Sequence, residues 1–329
     1  MSSPLPSAPR SLAARIGLGR LAYVAWHAPK AAVRRSLREG GPLNQWRDAQ
    51  GRRAMEQAAA QLPTDRTAPA AASTELHFLT GKRFWYQTAF CLHSLQLTSG
   101  TTFRAVFHDD GSFDPPTMDR LRALFPGAEI RRRAENDERV ASVLPPDRFP
   151  FLHDRRRHYP NILKLTDAHA GAAGWRLVLD SDMLFFRRPD FLQAWLTAPE
   201  RSLHMVDLDD AYGYPAAVLS ELAGAPVPHR VNVGLTGLRS DALDWERLEF
   251  WCRRLIETHG TSYYLEQALI AMWLARETCA IAPATDYVLM PDIAECRQPR
   301  AVMHHYVAES KRGYFRHGWR HVLAHSSPT

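Results

Sequence analysis

Lysine is nearly missing from this 329-residue chain: Lys30, Lys82, Lys164 and Lys311 are the whole complement, against 41 lysines and arginines together. Arginine serves almost everywhere, so the few lysines mark places that want a compact point charge instead of a planar fork. Cysteine is scarce too. Cys91, Cys252, Cys279 and Cys296 form no close pair, which excludes a zinc knuckle or a dense disulfide framework and favours a reducing compartment. No run approaches the roughly 18 uninterrupted apolar residues of a membrane span. Hydrophobic residues make up 45% and charged residues 23%, which excludes collagen-like, coiled-coil and wholly disordered chains. The length suits one large α/β domain with an appendage, or two small domains.

Acids are absent before Glu39. Residues 1–73 hold eleven Lys/Arg against four acids, so with a net charge of +6 the remaining 256 residues sum to −1. The basicity belongs to an arm and not to the body, which argues against nucleic acid as a partner. Segment 11–37 mixes Leu12, Ile16, Leu21, Tyr23, Val24 and Trp26 with regularly placed arginines. It reads as a basic amphipathic helix on anionic lipid, as a helix packed on the protein's own body, or as an Arg-rich targeting peptide. Residues 63–73, rich in proline and small side chains, read as a linker. The expected organisation is a basic helical arm over 1–62, a linker over 63–73 and a catalytic domain over 74–329. A cytoplasmic protein, held at the inner face of the membrane where the arm binds lipid, is the matching location.

From Thr74 short apolar runs alternate with helical stretches. Strands are expected over 76–79, 102–107, 128–132, 175–179 and 203–206, with helices over about 84–97 and 115–124. That alternation implies an α/β fold with a mostly parallel, doubly wound sheet, whose ligands bind at the carboxyl ends of the strands.

The strand 175–179 ends in Asp180-Ser181-Asp182. Alternation along an extended backbone puts both carboxylates on one face. Held about 5 Å apart at an effective dielectric near 20, they repel by roughly 3 kcal/mol. A divalent cation that also bridges a substrate diphosphate offsets this repulsion. The bland alternative is a pair of turn-capping aspartates.

The surroundings of this motif resemble the Asp-x-Asp site of GT-A fold glycosyltransferases, most closely the retaining galactosyl- and glucosyltransferases of glycosyltransferase family eight. Lys164 precedes the motif where that family has a basic residue contacting the donor. Asn232-Val233-Gly234 is similar to its Asn-x-Gly strand, Glu266-Gln267 to its Asp-Gln pair, and His305 to Lys311 to its terminal His-Phe-x-Gly-x-x-Lys. Ala308 stands where that last motif has glycine, Arg312-Gly313 stand where it continues into Pro-Trp, and Glu266 stands where the pair has aspartate. The resemblance spans about residues 74–315 in the same order.

It implies a GT-A fold, Rossmann-like with helices flanking the sheet, and transfer of a sugar from a nucleotide-diphosphate donor, UDP foremost, to a hydroxyl acceptor with retention. The implied cofactor is Mn²⁺ or Mg²⁺ on Asp180, Asp182 and His305. Donor contacts are expected from Thr80, Gly81, Lys164, Ser181, Gly234, Glu266 and Lys311, and the reacting centre from Gln267, Asn232 and Asp207. The acceptor is a glycan, a lipid-linked or a small-molecule hydroxyl. Rival readings are a haloacid-dehalogenase-type sugar phosphatase, which also uses Asp-x-Asp, and a non-catalytic membrane-surface adaptor. The late histidines His317, His321 and His325 recur every four residues and read as a polar helical face.

Overall fold

The computed structural model describes residues 41–64 and 75–326. Segment 11–37 and most of the linker therefore lie outside the described residues. The chain divides into two units, Met1–Arg52 and Arg53–Thr329. The first is described only as the opening turns of the helix Pro42–Ala59, where Leu43 and Trp46 are exposed. Within the second, Met55, Ala59 and Leu62 are buried in a core shared with Trp85 and Phe90.

Among the described residues ten strands follow: β1 Glu75–Thr80, β2 Ala105–Asp109, β3 Glu129–Arg131, β4 Trp175–Leu179, β5 Met183–Phe185, β6 Leu203–Val206, β7 Val231–Arg239, β8 Ala280–Ile281, β9 Tyr287–Leu289 and β10 Met303–His305. Seven build one sheet in the order β3-β2-β1-β4-β7-β6-β8, and β5-β10-β9 form a second. In the large sheet only β7 runs against its neighbours. The expected alternation is present, with boundaries moved by a few residues: the strand expected over 102–107 forms at Ala105–Asp109 and the helix expected over 84–97 at Trp85–Ser99. Gly100, at φ 65°, ends that helix by donating its N–H to the Gln96 carbonyl at 2.9 Å, and Asp114 caps Pro115–Leu124 by accepting from Thr117 N at 3.0 Å.

Strand side chains alternate between two apolar cores, as a sheet covered on both faces requires. Leu76 and Phe78 of β1 join Phe90 and Phe107 on one side. Val231 and Val233 of β7 join Leu248, Trp251 and Leu269 on the other.

The parallel order brings the carboxyl ends of β1, β2, β4 and β6 to one edge. Reversal of β7 adds its beginning to the same edge, so Asn232 and Gly234 arrive beside the end of β4. Asp180 N donates to Gly234 O at 2.7 Å, and Met205 pairs with Asn232 across the β6/β7 ladder.

Candidate active site

Asp180 leaves β4 directly, and the chain turns through Ser181 and Asp182 into β5. The antiparallel pairing of β5 with β10 sets Met183 opposite His305, and Tyr306 N closes on Asp182 O at 2.9 Å. This ladder carries the imidazole back over the motif. His305 Nε2 lies 3.3 Å from Asp182 Oδ1 and 3.6 Å from Asp180 Oδ2. Pairing of β5 with β10, and not strand alternation alone, makes the three residues converge.

The His305 ring is buried, yet neither of its nitrogens has a hydrogen-bond partner. Buried polar atoms without partners are costly, and here Nε2 faces two carboxylates. One ligand atom from each of the three residues can be chosen so that all lie within 4.8 Å of one another. The donor set of one imidazole and two carboxylates suits a divalent cation that keeps positions for phosphate oxygens. The residues therefore fit the expected metal. Among the described residues this is the one such group. The three late histidines form none: His317 sits in a π-helical turn, Tyr314–Gly318, His321 meets the Phe186 ring edge-on, and His325 donates to the His321 carbonyl.

Gly234 permits the approach. A β-carbon built there meets Cε1 of His305 and Cε of Met183 at less than 3.0 Å, so any other side chain displaces the imidazole. Gly81 is comparable, since the Asp110 carboxylate fills the space its β-carbon would take.

Both lysines expected near the donor reach the motif. Lys311 Nζ lies 2.6 Å from Asp182 Oδ2. Burial pushes the Asp182 carboxyl up, but Lys311 and His305 outweigh it and hold the group well below the usual range. Lys164 is buried between Asp180 Oδ1 at 2.9 Å and Glu266 Oε2 at 3.1 Å. Burial works against its charge, and the two carboxylates together restore it, raising the ammonium above its ordinary value. Glu266 gives way instead. Burial, helped by Asp180, lifts its carboxyl to about 7 although Lys164 opposes the shift. Lys82, the third lysine of the body, pairs with Asp114 at 2.6 Å, away from the motif.

The cleft has two halves that share Asn161, Lys164, Asp180 and Tyr263. One, of about 260 Å³, holds Thr80, Phe84, Asp110, Ser181, Asp182 and Lys311. The other, of about 370 Å³, holds Asp207, Asn232, Gly234, Glu266, Gln267 and His305. There Asp207 Oδ2 accepts from Asn232 Nδ2 at 3.0 Å and Gln267 Nε2 at 3.1 Å. Gln267 also donates to Ala211 O at 2.9 Å, and Asn232 Oδ1 accepts from Gly234 N at 3.0 Å. Asp210, by contrast, serves its own turn, accepting from Arg230 N at 2.7 Å and meeting His229 Nδ1 at 2.8 Å.

Of the expected site residues, all but Gly81 line one half of the cleft or the other. Sequence reasoning missed Asp110, Asn161, Tyr159, Tyr263, Tyr264 and Met290, which line it as well. The rule that ligands bind where parallel strands end points to Asp110, which directly follows β2. No sequence signal marks the tyrosines.

No family model and no curated protein matches the chain. Among solved structures, the galactosyltransferase LgtC in complex with donor and acceptor sugar analogs aligns with a TM-score of 0.51 at 13% identity, over 77% of this chain and 95% of that one. The fold is GT-A. Apo mouse xyloside xylosyltransferase 1 aligns at 0.47 and 10% identity, over 70% and 97%. The bifunctional glycosyltransferase WbbM aligns at 0.48 and 11%, over 81% of this chain and 52% of its own. Each of these neighbours is a glycosyltransferase.

Proposed function

We propose that this GT-A chain transfers a sugar from a UDP-sugar to a hydroxyl acceptor with retention at the anomeric carbon. The carrying observation is the convergence of His305 on both aspartates, with Lys311 on the second. Asp180, Asp182 and His305 would hold Mn²⁺ or Mg²⁺, which when bound supplies Lewis-acid neutralisation of the diphosphate. The nucleotide half takes the diphosphate, where Lys311 meets negative charge as it accumulates on the leaving group. The larger half takes the sugar against Asp207, Asn232 and Gln267.

In the reaction the bond between anomeric carbon and phosphate oxygen breaks, the acceptor oxygen bonds the same carbon, and the acceptor proton passes to the departing phosphate. An enzyme carboxylate is less suited to be the nucleophile. Asp207 already accepts two amide hydrogen bonds, and Glu266 is engaged by Lys164 and pushed toward its neutral form.

The test is hydrolysis of UDP-sugars, and protection of the protein against heat by them, with and without Mn²⁺. Asp182→Ala is expected to lower metal-dependent donor cleavage by about a hundredfold or more while keeping the circular dichroism of the parent. Equal turnover by variant and parent would refute the assignment.

A further inference from the structure

A third cavity, of about 320 Å³, shares no lining residue with either half of the cleft. It opens between the helices Arg133–Val143 and Pro150–His158. Arg133 and Asp137 line it from one helix, and His153, Arg156 and Arg157 from the other. The volume is of the size that small ligands occupy. Its wall carries three guanidinium groups against one carboxylate, and the His153 imidazole has Nε2 engaged by the Leu144 carbonyl at 2.7 Å.

Acceptors for those guanidinium groups are few. Asp137 Oδ1 takes both Arg133 Nε at 3.0 Å and Arg156 Nη2 at 2.5 Å. Arg156, whose side chain is only 2% exposed, directs Nη1 inward to Thr166 and Asp167. Two carboxylates thus balance Arg133 and Arg156, and Arg157 is in surplus. It is exposed, and among the described residues its guanidinium has no hydrogen bond or ion pair. The helix dipole favours cations in the last turn, which accounts for Arg155, Arg156 and Arg157. It does not account for Arg133, which opens its helix, the end where a cation is disfavoured. Arg133 Nη2 also donates to the Arg156 carbonyl at 2.7 Å, so the two helices present their arginines to one space. Guanidinium forks arranged in this way suit a tetrahedral oxyanion, which they bind with paired N–H groups.

We propose that this cavity is a second anion site, separate from the catalytic cleft, which takes a phosphate dianion, either free or carried on a small carbon skeleton. Arg157 and Arg133 grip its oxygens, and Asp137 competes with it for the same donors. The experiment measures binding of inorganic phosphate and of glycerol 3-phosphate to the metal-free full chain by calorimetry, at an ionic strength held constant with chloride. The parent is compared with Arg157→Ala, Arg157→Glu and Asp137→Asn. Arg157→Ala is expected to weaken binding about tenfold, as the loss of one charge-assisted contact does, and Arg157→Glu to abolish it, both with the circular dichroism of the parent. Asp137→Asn removes the competing carboxylate and should tighten binding, which a merely structural role for these residues does not predict. The phosphate that binds more tightly tells whether the site takes the free ion or an organic monoester. Equal affinity in the parent and the Arg157 variants, weaker binding by a folded Asp137→Asn, or no binding by the parent overturns the inference. Should Asp137→Asn fail to fold, the two variants of the exposed Arg157 decide the matter.

Discussion

Glu295 shows how single side chains hold the site from behind. Its carboxylate accepts from Arg300 N at 2.6 Å, Ala301 N at 2.9 Å and Arg300 Nε at 2.9 Å, and it meets His304 Nε2 at 3.0 Å. It thereby ties the segment entering β10 to the strand residue next to His305. Burial pushes this carboxyl up, but the hydrogen bonds from Ala301, Arg300 and His304 prevail and bring it down to about 2. A carboxyl depressed on folding stabilises fully above its unfolded value and loses that contribution as pH falls toward the folded one. Glu295→Gln is therefore expected to cost about 1–3 kcal/mol at pH 7. The difference from the parent should shrink between about pH 4.5 and about 2, which urea unfolding across that range measures. A constant difference would show that the charge is not what holds β10.

At the scale of elements, the decisive piece is the ladder between β5 and β10 and its fit against β7. Gly234→Ala adds one methyl on the Asp180 side of β7, where the His305 ring and Met183 leave no room. Overpacking of this kind costs about 1–3 kcal/mol. The expected signature is specific: the thermal shift produced by Mn²⁺ with UDP vanishes, while the metal-free midpoint falls by only several degrees. A full metal response in this variant would mean that the imidazole does not need its present place. The same ladder gives Asp180 and Asp182 an imidazole as partner, while the two lysines reach them from the helix Ile162–His169 and from the residues after β10.

For the whole molecule the basic arm is the open element. The second unit includes Met55, Ala59 and Leu62 in its core, so a truncation meant to test lipid binding has to stop well short of them. Removal of residues 1–40 is expected to reduce retention on vesicles containing anionic lipid, with about 1 kcal/mol of attraction lost for each Lys or Arg near the surface, and to leave UDP-sugar binding in place. Equal retention of parent and truncated protein in a sedimentation assay would remove the proposed membrane role. Among the described residues no helix is long and apolar enough to cross a membrane.

The sequence alone determined the α/β alternation and the strand that ends in Asp180 and Asp182, because apolar periodicity and residue chemistry are local properties; the distant His305 and Lys311 were legible only through the resemblance of their motif to a known family. The tertiary structure decided what periodicity cannot carry. Reversal of β7, pairing of β5 with β10 across 120 residues of sequence, and the burial of Lys164 between Asp180 and Glu266 all depend on which segments pack together. The tyrosines of the cleft and the positive φ of Met290 (55°) and Ala308 (46°) belong to the same class: a side chain's type is written in the chain, but its neighbours and its backbone angles are set only when the sheet closes around it.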